Sequence, residues 1–322
     1  MKLGRWSTAL FMLAGAALLV SLPALAQDEA KWEWKAFNKD AKPFYQELKT
    51  DTTQVMKVMG QEVKQNQNQT FIISWTPLAP DKDGNWVVQQ KIIGVEMKID
   101  IGGVNIAYNS QDDKAGNNPM TDFFKKLLEA DLKITIDPKT MTVKKIEGHD
   151  ELIKKLGATN TQMEPLLKSI LSEEALKNMA QPTWAAFPTS AVKKGIPWKS
   201  ESVLKLGPIG TYKTNTNYTY EGPDKGGEKI KIDATLTYEA PTEKAGLPFV
   251  IKKATLSSKE GTGAAIFDKA KGRFDSSTMK MKIDGTLLIE VGGMETEVAL
   301  TQDQTATVKT MDENPIKGSK QK

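Results

Sequence analysis

Val95-Glu-Met-Lys-Ile-Asp-Ile-Gly-Gly-Val-Asn-Ile-Ala-Tyr-Asn109 decides the fold class. Val95, Met97, Ile99 and Ile101 alternate with Glu96, Lys98 and Asp100, the period of two that gives a strand one apolar and one polar face. Gly102-Gly103 supplies the positive φ that a two-residue hairpin loop requires, and Val104, Ile106 and Tyr108 carry the alternation back. The segment therefore predicts a β-hairpin. The design recurs near the C-terminus, where Leu287, Ile289 and Val291 lead into Gly292-Gly293 and then Val298 and Leu300.

Outward from these hairpins, patterning predicts strands over 44–58, 63–75, 85–93, 132–136, 142–147, 200–205, 211–220, 229–238, 249–259, 263–267 and 276–284. Their joints carry turn chemistry: Asp81-Lys-Asp-Gly84, Asp137-Pro138, Gly222-Pro223, Gly226-Gly227 and Lys271-Gly272. Heavy use of Thr, Lys, Gln and Asn suits long strands with one wet face. The spacing describes a meandering antiparallel sheet and excludes the βαβ alternation of a nucleotide-binding fold.

One helical block, at about 118–181, interrupts the strands. Asn118 caps a helix opened by Pro119, and Met120, Phe123, Phe124, Leu127 and Leu128 fall on one face. A second helix over 149–156 buries Leu152, Ile153 and Leu156 and stops at Gly157. A third opens with the Thr161-x-x-Glu164 capping box and buries Met163, Leu166, Leu167, Ile170 and Leu171. A fourth runs over 172–180 and ends at Pro182. Faces this wide must cover something, and the apolar face of the sheet is the available surface. The expected fold is thus α+β, mainly β: a large curved antiparallel sheet, half-barrel-like, packed on short amphipathic helices. The expected division is a signal peptide over 1–26, an N-terminal segment over 27–42, one β-rich domain over 43–310 and a disordered tail over 311–322.

The N-terminus has the layout of an export signal: Lys2 and Arg5, an apolar run over 9–20, then Ser21-Leu-Pro-Ala-Leu-Ala26. Ala24 and Ala26 fit the small-x-small cleavage rule, which makes Gln27 the mature N-terminus. The run falls short of the ~20 residues that span a bilayer. With no cysteine in the chain, an acylated first Cys, disulfides and thiolate metal sites are all excluded. Export to the periplasm or the medium, without a lipid anchor or membrane span, is the expectation. Loss of Lys2 and Arg5 from 44 basic residues leaves 42 against 40 acidic ones, a balance that gives nucleic acid or an anionic membrane no purchase.

A faint echo runs through the chain. Met59-Gly-Gln-Glu-Val63 with Gln67-Asn-Gln-Thr70 matches Met294-Glu-Thr-Glu-Val298 with Gln302-Asp-Gln-Thr305 at a constant offset. It is compatible with two strands of similar design or with a chance match.

The run Gly261-Thr-Gly-Ala-Ala-Ile-Phe-Asp268, then Lys271-Gly-Arg-Phe274 and Ser276-Ser-Thr-Met279-Lys-Met281, resembles a family of exported bacterial proteins of unknown function. Met163-Glu-Pro-Leu-Leu167 and Ile170-Leu-Ser-Glu-Glu174 share that resemblance, which covers nearly the whole mature chain and carries no catalytic residues. In expected architecture alone, the chain also resembles periplasmic lipoprotein carriers and lipid-binding mycobacterial lipoproteins, folds that hold acyl chains between sheet and helices.

Chemistry is sparse. His149 is the only histidine, and beside Asp150 and Glu151 at a helix start it reads as structural more readily than as a general base. Arg273 is the only arginine after the signal and reads as a turn residue pairing with Asp268 or Asp275 before it reads as an anion clamp. Asp112-Asp113 and Glu173-Glu174 belong to a polar loop and a helix start. Trp32, Trp34, Trp75, Trp86, Trp184 and Trp198 suggest packing before carbohydrate stacking. No metal, nucleotide or cofactor motif is present, so the expected function is non-enzymatic and the expected cofactor is none. Two functions fit. One is a binding protein for a hydrophobic small molecule or lipid, its ligand facing Met120, Phe123, Phe124, Leu127, Met163, Leu167 and Ile170. The other is an envelope structural or protein-interaction module that offers a Gln/Asn/Thr-rich strand such as 64–70 to an envelope protein.

Overall fold

The computed structural model describes residues 32–112, 121–158, 164–185, 187–188, 190–224, 226–242 and 247–316. The export signal, the helix start at Asn118 with Met120, the Thr161 cap with Met163, and residues 317–322 lie outside the described residues. Thirteen strands make one antiparallel sheet. Before the last helix come β1 (Phe44–Val58), β2 (Gln61–Pro77), β3 (Trp86–Ile101), β4 (Val104–Asn109), β5 (Leu132–Asp137) and β6 (Thr142–Glu147). After it come β7 (Trp198–Lys205), β8 (Thr211–Asp224), β9 (Gly227–Glu239), β10 (Val250–Ala254), β11 (Ser257–Asp268), β12 (Arg273–Val291) and β13 (Met294–Met311).

Strand order is β6-β5-β3-β2-β1-β13-β12-β11-β9-β8-β7, and the path does not close, so β6 and β7 are its edges. The chain builds two wings, β1 to β6 and β7 to β13. They join where β1 pairs with β13 from Tyr45↔Met311 to Val58↔Val298. Each wing holds one long strand flanked by two short ones along the same side. β3 takes β5 and β4 in turn, and β12 takes β11 and β10.

Both glycine-pair hairpins form. Ile101 faces Val104 across Gly102-Gly103, with positive φ at both glycines, and Val291 faces Met294 across Gly292-Gly293. A third tight loop, Met59-Gly60, joins β1 to β2 with φ of 51° at Met59. Strand boundaries differ from the sequence expectation in several places, and β8 runs through Gly222-Pro223, expected as a turn, to Asp224. β3 runs unbroken through Gly94, with a register shift on β2 between Ile72 and Ile73. β12 runs on through Gly285, whose φ is 145° and whose missing Cβ leaves room for the Thr255 carbonyl. That close approach breaks the neighbouring strand at Thr255 and Leu256, so 249–259 divides between β10 and β11.

Among the described residues four helices form: α1 (Thr121–Leu128), α2 (His149–Gly157), α3 (Glu164–Ile170) and α4 (Glu173–Ala185). α4 continues past Pro182, where the sequence expectation ended it; a proline removes one ladder bond and kinks a helix without having to stop it. α4 touches both edge strands, β6 and β7, while α1 touches β3. Glu173 Oε1 accepts the Ile146 N–H at 3.3 Å, which fixes the start of α4 to β6. The chain from 311 to 316, where the tail was expected to begin, stays on the sheet: Asp312 pairs with Lys271 at 2.7 Å and with Arg273. No described helix is long and apolar enough to cross a membrane.

Candidate functional site: the buried face of the sheet

Three apolar clusters line this face. The largest joins Trp32, Trp34 and Phe37 to the inward residues of β8, β9, β11 and β12. Trp32 stacks on Phe267 at 4.8 Å and meets Tyr220 edge-on at 5.6 Å, and Phe37 lies among Phe44, Trp75 and Trp86. Of the tryptophans in the sequence, Trp32, Trp34 and Trp75 are buried core residues.

The candidate ligand-facing residues divide between the other two clusters. Phe124 stacks on Tyr108 at 4.9 Å and packs among Val95, Met97, Ile99 and Ile101 of β3. Leu167 and Ile170 pack with Leu152, Ile153 and Leu156 of α2, with Leu204 of β7 and with Leu206 and Ile209 just beyond it. Phe123 and Leu127, half-buried, touch both clusters. Met120 and Met163 lie outside the described residues.

Sequence reasoning missed the most unusual part of this face. At its centre, on the three middle strands, sit eight polar side chains: Thr50, Thr52 and Gln54 of β1, Gln65, Gln67 and Gln69 of β2, and Gln302 and Gln304 of β13. All are under a tenth exposed. Register puts them in adjoining rows: Gln65, Gln54 and Gln302 in one, Gln67, Thr52 and Gln304 in the next. Each row ends on apolar side chains, Ile101 and Ile283 for the first, Ile99 and Met281 for the second. Met56, Val63 and Leu300 bound the patch toward the hairpin tips, and Leu48, Phe71 and Val308 bound it at the other end. The echoed segments account for the geometry, since β2 and β13 flank β1 on either side and present their glutamines to it.

Amide-to-amide bonds run along the strands. Gln65 Nε2 donates to Gln67 Oε1 at 3.3 Å, Gln67 Nε2 to Gln69 Oε1 at 3.2 Å, and Gln302 Nε2 to Gln304 Oε1 at 3.0 Å. Within the patch three buried polar atoms, Thr52 Oγ1, Gln54 Nε2 and Gln65 Oε1, have no hydrogen-bond partner, nor do the Nε1 atoms of Trp32 and Trp198 and the Nδ1 of His149 elsewhere. The expectation that 64–70 offers a free edge is corrected here, because β2 is paired with β1 on one side and with β3 on the other.

Ionisable groups lie elsewhere. Arg273 is buried with its guanidinium 4.9 Å from the Phe44 ring centroid, and its partner is Asp312 rather than Asp268 or Asp275. The Lys271 ammonium first, then Arg273, holds the Asp312 carboxyl below its ordinary range. Asp268 instead accepts the Lys271 N–H at 3.0 Å, closing the β11–β12 turn. Glu228, 3% exposed, accepts the Tyr220 hydroxyl and pairs with Lys269. Burial, and then that carboxylate, push the Tyr220 phenol up. His149 begins α2 with Nε2 3.3 Å from Asp150. Among the described residues no three His, Asp or Glu side chains gather as metal ligands do.

The fold defines a mainly β protein built on a thirteen-stranded antiparallel sheet that does not close, with four helices. The chain belongs to the family of unknown function DUF6263, whose model matches residues 83–314. No curated protein sequence matches it. Among solved structures, one of lipid–protein interactions in lipovitellin is similar over 88% of this chain and 26% of its own, at 9% identity and a TM-score of 0.46. DynF from the dynemicin biosynthesis pathway of Micromonospora chersina is similar over 89% and 93%, at 9% identity and a TM-score of 0.20. Pseudomonas aeruginosa OccK7 (OpdD) is similar over 84% and 100%, at 7% identity and a TM-score of 0.19. The chain spans about a quarter of the lipovitellin chain, and TM-scores below 0.5 leave these likenesses without weight for function.

Proposed function

We propose that this is an exported, non-enzymatic binding protein, periplasmic or extracellular, that holds a hydrophobic or lipid ligand between a curved sheet and its helices. The observation that carries this reading is that α4 touches both edge strands, β6 and β7. A sheet whose two edges meet one helix has to curl into a trough, with the helix as its seam. Its inner face is then the buried face described above, with β1 and β13 opposite the seam. The helix contacts with the sheet concentrate near that seam and on β3.

Native mass spectrometry of the protein purified from its own cell envelope, followed by organic extraction, tests the proposal. A reproducible apolar ligand of fixed stoichiometry is expected, on a polypeptide beginning at Gln27. A clean ligand-free mass overturns the carrier reading and favours an envelope interaction module. A retained residue 1 overturns the cleavage.

A further inference from the structure

We infer that the glutamine–threonine patch is the recognition site for an uncharged, hydrogen-bonding polar group of the ligand, so that the protein selects neutral amphiphiles such as acylglycerols over fatty acids or cationic surfactants. The inference rests on the carrier reading and adds to it the chemical class of the cargo.

Three observations converge. First, the patch is an island: eight polar side chains lie in adjoining rows with apolar side chains on every side of the same face. A sheet built only to be stable would place Val, Ile or Leu there, since a buried amide lacking a partner costs about 1–3 kcal/mol. Secondly, Thr52 Oγ1, Gln54 Nε2 and Gln65 Oε1 are left without a protein partner although their residues are 8%, 1% and 2% exposed. Gln54 and Gln65 face each other directly across the β1–β2 ladder, and Thr52 stands in the adjoining row. The open positions are therefore neighbours, and together they offer a donor, an acceptor and a hydroxyl that serves as either. Three orphans cost roughly 3–9 kcal/mol together, a large share of a domain's stability, and a polar group brought in by a ligand would offset that cost.

Thirdly, the patch carries no charge. Among the described residues the only fully buried charged side chains are Glu228 and Arg273, and neither stands in these rows. A carboxylate or phosphate would enter with no cation to meet it, and an ammonium with no anion, each at a desolvation cost that hydrogen bonds from neutral amides offset only in part. Hydroxyl, ester and amide groups match the donors and acceptors without that cost. The flanking residues are suited to acyl chains: Ile99 and Ile101 on one side, Met281 and Ile283 on the other.

The test is displacement of the apolar fluorophore N-phenyl-1-naphthylamine from the full mature protein at pH 8. Competitors share a twelve-carbon chain and stay below their micellar concentrations: monolauroylglycerol, laurate and dodecyltrimethylammonium. Monolauroylglycerol is expected to displace the fluorophore at a concentration at least tenfold below that of either ion. Gln54→Leu/Gln65→Leu, its fold checked by circular dichroism, is expected to lose the preference for monolauroylglycerol over the two ions. Thr52→Val, nearly isosteric, should lose part of it and guards against a double variant that does not fold. Equal displacement by all three competitors, or a preference unchanged in the folded variants, overturns the inference and leaves the carrier reading standing. No binding of the fluorophore or of any competitor overturns both.

Discussion

Arg273 and Asp312 show how much one pair of residues ties together. The guanidinium is buried against Phe44 on β1, it begins β12, and its carboxylate partner follows β13, so three strands meet at one ion pair. Asp312 is itself 60% exposed, which screens the interaction. Asp312→Asn is expected to lower stability by about 1 kcal/mol at neutral pH, read from urea denaturation. Because the folded carboxyl titrates below its ordinary value, the contribution is complete above about pH 4 and is lost as pH falls through the folded pKa. The gap between the two proteins should close in acid; a gap that persists at pH 2 would show that the pair is not its source. Met59 offers the opposite opportunity. It holds a left-handed conformation in the β1–β2 loop while 85% exposed, so no packing depends on its side chain. Met59→Asn keeps the loop and offsets the cost of the left-handed conformation through local hydrogen bonding of its short amide side chain, and a gain of about 0.5–1 kcal/mol is expected in the same assay.

At the scale of elements, local signals were legible and non-local ones were not. Both Gly-Gly hairpins could be read because alternation and turn chemistry lie within fifteen residues of one another. The helices could be read from their apolar faces, and Phe124, Leu167 and Ile170 are buried as that spacing requires. Strand continuity through Gly94 and Gly285 could not be read, because a glycine ends a strand or lets another chain segment approach, and only the neighbour decides which. The glutamine patch was illegible for a different reason. In Lys64 to Thr70 both faces of β2 are polar, so a period of two has no contrast to reveal which face is inside. Asn66 and Asn68 point out, toward Thr53 and Asp51, while Gln65, Gln67 and Gln69 point in. Among the helices, α1 gives the sharpest test. Phe124→Ala removes a ring 2% exposed from the β3 cluster and is expected to cost about 3–4 kcal/mol by chemical denaturation. A loss under 1 kcal/mol would mean that α1 does not pack on β3 in solution.

For the whole molecule, tyrosine ionisation reports on the integrity of the sheet. Burial pushes the Tyr212 phenol up to about 12, raises Tyr108 and Tyr238, and with Glu228 raises Tyr220. Tyr108 sits on β4 in the first wing, and the other three sit on the paired strands β8 and β9 in the second. In the unfolded chain each titrates near pH 10. Folded values raised above the unfolded one mean that stability is complete below about pH 10 and is lost as pH rises toward them. The 295 nm absorbance of these four phenols should therefore emerge together with loss of the β-sheet circular dichroism signal. Reversible titration near pH 10 in a protein that keeps that signal would contradict the burial.

The seam between the wings has a kinetic meaning. β1 is the first strand of the chain and β13 the last, yet they pair at the centre of the sheet, through contacts 240 to 266 positions apart from Val58↔Val298 to Tyr45↔Met311. Contacts this distant come with a high entropy of loop closure and slow folding. A ribosome that still holds the final 29 residues, all of β13 among them, has released a molecule without its middle. Shortening the C-terminus past Met294 does not trim an edge; it cuts the sheet in two and leaves both β1 and β12 with open backbone. The sheet thus cannot assemble around its middle until β13 has been made.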